Sequence, residues 1–114
     1  MHRTTDVTGN KALALLRSFT DDMRDWGVTV SSEDKMMVLA REYFADGQKT
    51  LDDLLLYIAR HGSGKGVVFE RDPHDDFFGL MTVTLFSHLV TGWGMPPMHA
   101  RCLYSSVRIR AVEE

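Results

Sequence analysis

The sequence predicts a mainly α, single-domain fold over residues 1–114. Four to five helices surround a central apolar helix (about 73–92), beside a small two-stranded β ribbon (67–71 with 105–112). Three observations support this. Apolar residues recur at helical spacing in three successive segments, each closed by a glycine. A fourth segment is apolar round most of its circumference, the pattern of a helix covered on all sides. Two short runs, 67–71 and 105–112, carry β-branched residues in a strand-like pattern.

The elements follow in order. In "NKALALLRSFTDDMRDWG", Ala12, Leu15, Leu16, Phe19, Met23 and Trp26 share one helical face, and Gly27 supplies the left-handed stop. "VTV" (28–30) is a short extended connector or minimal strand. "SSEDKMMVLAREYFADG" pairs Ser31 with Asp34 as a capping signal, buries Met36, Met37, Ala40, Tyr43 and Phe44, and stops at Gly47. "TLDDLLLYIARHG" repeats the signal with Thr50 and Asp53. Its stripe is Leu51, Leu54, Leu55 and Ile58, and Gly62 is its stop.

Val67-Val68-Phe69 reads as a brief strand. The central helix then starts with Asp72 as N-cap, Pro73 at the first helical position, and Asp75 and Asp76 in the first turn. One face holds Phe78, Met81, Leu85 and Leu89, a second Val83, Phe86 and Val90. Both are expected to be buried. Gly92, Gly94, Pro96 and Pro97 end it. The remainder reads as a short helix near 97–104 and a strand near 105–112.

Composition bounds the function. A chain that is 44% hydrophobic and 25% charged is an ordinary globular mixture, not a disordered one. A net charge of −3 gives no basic field, which disfavours bulk nucleic-acid binding. The one cysteine, Cys102, allows no internal disulfide and suits a cytoplasmic protein. No apolar stretch precedes Ala12, so no secretory signal is expected. Residues 77–98 lack Lys, Arg, Asp and Glu, but Thr82, Thr84, Ser87, His88 and Thr91 dilute them. A core helix is expected there, with no membrane span.

Several segments invite a chemical reading. Gly62-Ser63-Gly64-Lys65-Gly66 looks like the tail of a phosphate-binding loop. Alignment on Gly64-Lys65 puts Ala59 where the first glycine belongs and Gly66 where a Mg²⁺-binding hydroxyl belongs. A helix also precedes the loop and a strand follows, the reverse of what phosphate binding at a helix N-terminus needs. Asp72, His74, Asp75 and Asp76, with His61 and Glu70, offer metal-ligating atoms, but helix initiation explains the same acids. Thr84, Ser87, His88 and Thr91 make a polar stripe, open to a general-base reading of His88 or to back-bonded hydroxyls. His99 and Cys102 are one helical turn apart, with no third group in sequence to orient them.

No catalytic constellation, cofactor site or metal site is therefore expected. Seven Met, two Trp, three Tyr and six Phe serve cores but also adaptable partner surfaces. The leading expectation is a small cytoplasmic protein–protein interaction module: an inhibitor, immunity protein, adaptor or antitoxin-like regulator. Asp21, Asp22, Asp25, Glu33 and Asp34 are the candidate patch for a basic partner. Trp93, Met95 and Met98 leave the central helix where the chain's own helices reach least. A homodimer interface is expected there, together with the C-terminal segment. One alternative is a DNA-binding regulator with a helix-turn-helix-like second and third helix. Against it, Asp52 and Asp53 sit where phosphates would be met, and the one basic cluster is Arg101, Arg108 and Arg110. The other alternative is a small His- or metal-dependent enzyme.

Overall fold

Helix α1 (Gly9–Asp25) buries Ala12, Leu16, Phe19 and Met23, the face that its periodicity marks. A turn follows, with Gly27 at φ 86°, and β1 (Val28–Val30) runs back. Helices α2 (Glu33–Tyr43) and α3 (Leu51–His61) come next, then a 3₁₀ turn (Gly62–Lys65) and β2 (Phe69–Arg71). The last elements are a π-helical turn (His88–Gly92), α4 (Pro97–Ser106) and β3 (Arg108–Ile109). The computed structural model describes residues 9–45, 48–71 and 85–110.

The fold is mainly α, with a small mixed sheet of order β1-β2-β3. The expected ribbon is present as β2 and β3, which pair in parallel, Glu70 opposite Arg108 and Arg71 opposite Ile109. The sheet has three strands, not two. Val28-Thr29-Val30 joins β2 antiparallel, with Val30 opposite Phe69. Val28 is buried against α1's side of the sheet, so the short run has a packing reason to be a strand.

Local signals hold with two shifts. Thr50 and Asp53 form the reciprocal capping box: Asp53 N–H donates to Thr50 Oγ1 (3.2 Å), and Thr50 N–H to Asp53 Oδ2 (3.0 Å). At α2 the cap is Ser32, not Ser31, and its hydroxyl accepts from Lys35 N–H. Ser31 is engaged elsewhere. Its hydroxyl accepts from Val68 N–H (3.0 Å) and donates to Gly66 C=O (3.1 Å), clipping the end of β1 to the loop before β2.

The second shift is at the glycine loop. Gly62 is right-handed, and the left-handed stop is Gly66 at φ 78°. Gly62 is needed for closeness instead: a Cβ there would lie 2.2 Å from the Val67 carbonyl oxygen. Gly47, the expected stop of α2, lies outside the described residues, as do Asp72–Thr84 of the central helix. The described part of that helix buries Leu85 and Leu89, but Phe86 and Val90 only in part. It ends at Gly92 as expected.

The core is closed from within. Trp93 sets its ring edge-on to Phe19, centroids 5.2 Å apart, and its indole N–H donates to Asp22 (3.0 Å). Phe19 meets Phe69 of β2 in a second edge-to-face contact. α4 lies along α3 and contributes Ala100 and Leu103 to the core. Trp93 is 4% exposed and Met95 is buried too. The two residues expected at a dimer contact are thus buried within their own chain, Trp93 against Phe19 and Asp22 of α1. No described helix is long and apolar enough to cross a membrane.

Candidate functional site

The outer face of α2 is the first feature with binding character. Its buried residues are Met36 and Ala40. Val38 is two positions from each, about 200° round the helix, and so points away from the core. It is 52% exposed. Val38 and Leu39 line an apolar cleft of about 380 Å³, rimmed by Asp34, Lys35, Glu42 and Lys65. Asp34, Val38 and Glu42 follow at i, i+4 and i+8, one row along the helix. Neither Asp34 nor Glu42 is ion-paired among the described residues. The row therefore presents an exposed apolar side chain between two carboxylates, with Lys35 and Lys65 on the same rim.

Beside it, α1 and α2 flank a polar cleft of about 330 Å³ lined by Arg17, Arg24, Asp21, Glu33, Asp34 and others. The structure sorts the five acids of the sequence-predicted patch. Arg24 pairs with both Asp21 (3.0 Å) and Glu33, so one positive charge is shared by those two carboxylates. Asp22 accepts the Trp93 indole N–H. Asp25 is exposed at the end of α1. Asp34 lines both clefts. Of the apolar candidates, Trp93 and Met95 are core residues, and Met98 is 83% exposed at the start of α4.

A second feature joins α3 to α4. His99 Nδ1 meets Asp52 Oδ2. The Asp52 side chain is 3% exposed and that of His99 38%. Asp52 lies in the first turn of α3, where a carboxylate complements the helix dipole, and α4 packs over it. The buried carboxylate accepts the Nδ1 proton and so holds the ring's orientation. This supplies the orienting group for His99 that sequence spacing did not reveal. Cys102 is a free, half-buried thiol with no hydrogen bond to His99. Neither His99 nor Asp52 lines the α2 cleft or the α1–α2 cleft.

The other sequence candidates resolve structurally. Lys65 is exposed, in a 3₁₀ turn between a helix and a strand. Asp72, His74, Asp75 and Asp76 lie outside the described residues. His61 is exposed and packs on the Tyr57 ring. Among the described residues, no group of three His, Cys, Asp or Glu is arranged to hold a metal. In the polar stripe, Thr84 is outside the described residues, and Thr91 Oγ1 donates to the Ser87 carbonyl (2.6 Å), a back-bonded hydroxyl. His88 stacks flat on Trp26, centroids 4.3 Å apart. The supposed recognition helix, α3, buries Leu51, Asp52, Leu54, Leu55 and Ile58 between α1 and α4. Its free face carries Asp53 in the first turn and Arg60 and His61 in the last.

Sequence reasoning missed Val38, Glu42 and the Asp52–His99 pair. Val38 carried a signal: it is an apolar residue out of phase with the α2 stripe. Asp52 carried none, because its fate depends on a helix 45 residues downstream, starting at Pro97. No family model matches the sequence, and neither a curated protein nor a solved structure matches it.

Proposed function

We propose that the protein is a protein–protein interaction module that docks a partner on the outer face of α2. The observation that supports this reading is the row Asp34-Val38-Glu42 beside the apolar cleft. Apolar anchors ringed by charge are the usual anatomy of a binding patch. The partner is an amphipathic segment with an apolar anchor for Val38 and Leu39, flanked by Lys or Arg to meet Asp34 and Glu42. The single-chain core already takes Trp93 and Met95, which favours a different protein over a second copy as the partner. An inhibitor, adaptor or regulator working in the cytoplasm fits this surface.

The test is comparative capture. Wild type, Val38→Asp and the double variant Asp34→Lys/Glu42→Lys are each immobilised and exposed to lysate of the source cell, and retained proteins are quantified by mass spectrometry. The expected result is a protein retained by wild type and lost by both variants, whose circular dichroism matches wild type. Retention indifferent to both variants would overturn the α2 assignment.

A further inference from the structure

The ends of α3 and α4 and the start of β3 enclose a third cleft, of about 180 Å³. Arg60 comes from the last turn of α3, Arg108 from β3, Ser63 from the 3₁₀ turn and Ser105 from the last turn of α4. Two stretches of chain, 60–63 and 105–108, thus bring two arginines and two serines to one small polar cleft.

Among the described residues no carboxylate lines the cleft, in a chain whose acids outnumber its Lys and Arg, 16 to 13. Neither Arg60 nor Arg108 makes an ion pair or side-chain hydrogen bond among the described residues. Glu70 stands opposite Arg108 in the β2–β3 register, but no ion pair joins them and Glu70 does not line the cleft. The Ser63 and Ser105 hydroxyls also have no described partner, whereas Ser106 spends its proton on the Leu103 carbonyl. Arg60 in a final helical turn also complements the α3 dipole. That role explains Arg60 alone. It does not explain why Arg108, on a strand, faces the same cleft.

We infer that this cleft binds a phosphate group. Two guanidinium forks match its oxygens in a way that two ammonium groups would not, and hydroxyl donors complete the shell. The group is small, as the cleft requires: the free ion or a phosphomonoester. The proposal is independent of the α2 docking surface.

Calorimetric titration of the folded protein at fixed ionic strength tests it, with inorganic phosphate in one arm and O-phosphoserine in the other. Saturable binding at millimolar or lower concentration is expected. Arg60→Gln and Arg108→Gln should each weaken it about tenfold, the scale of one charge-assisted contact. Arg108→Lys should weaken it less, since charge stays but the fork is lost. Arg17→Gln, at the α1–α2 cleft, should leave it unchanged. Tighter binding of phosphoserine identifies the monoester as ligand, and equal binding identifies the ion; either supports the site. Absence of saturable heat in both arms would overturn it. So would an equal loss from Arg17→Gln, which would reduce the effect to diffuse charge attraction.

Discussion

Helices α2 and α3 are built alike and used differently. Each has 11 residues, a hydroxyl side chain as N-cap and two acids in its first turn. Yet α3 buries five residues and α2 only two. The acids make the contrast sharp. Asp34 and Asp52 are both the second residue of their helix. Asp34 is exposed between two clefts, while Asp52 is sealed under α4 against His99. Local sequence sets the helix, its start and its dipole partner. What covers the helix afterwards is set by distant chain. The helix left uncovered is the one with surface available for a partner.

The comparison can be broken most forcefully in the core of α3. Leu55→Ala should cost about 2–5 kcal/mol in urea unfolding, because Leu55 is 1% exposed and α1 and α4 flank its helix. A loss under about 1 kcal/mol would mean that α3 is peripheral and the contrast with α2 false.

The paired acids sharpen it. Asp52→Ala should cost about 1.5–3 kcal/mol, the worth of a buried charged hydrogen bond. Asp34→Ala, at the same helical position, should cost only about 0.3–1 kcal/mol, its share of the dipole. Chemical denaturation of both variants reads the difference directly. Equal losses would show that the Asp52–His99 contact adds nothing beyond the dipole.

The glycine loop after α3 gives a comparison on a finer scale. Gly62→Ala should destabilise by about 1–3 kcal/mol, since its methyl would meet the Val67 backbone. Gly64→Ala, two residues on, has open space and should change stability by no more than about 0.5 kcal/mol. Thermal unfolding of the two variants checks this pair. The smallest effect belongs to α2. Val38→Ser should leave stability within about 0.5 kcal/mol by the same measurement, while weakening partner capture.

Much of this fold was legible in short range. The α1 face, the Thr50–Asp53 box and the end of the central helix at Gly92 each depend on residues within a few turns of one another. The misreadings share one cause. Ser31 forgoes its cap because Val68, 37 positions away, offers its hydroxyl another partner. Trp93 leaves the surface because Phe19 and Asp22 lie across the core from it. The candidate sites were less legible still. The α2 row was visible only as one apolar residue out of phase. The Arg60–Arg108 cleft needs a strand register that no local pattern encodes.

The parallel pairing of β2 with β3 also bears on how the chain is made. Arg71 must wait for Ile109, 38 residues later, to complete the sheet. Loops of that length close slowly compared with helical turns. During synthesis, α1, α2, α3 and the β1–β2 pair emerge well before α4, at about 5–20 residues per second. For those seconds the surfaces that Ala100 and Leu103 later cover stay open, and so does the free edge of β2. An unpaired strand edge beside open apolar surface invites pairing with a neighbouring nascent chain. The protein's period of greatest exposure to aggregation is therefore on the ribosome, in the interval before residues 97–109 are released.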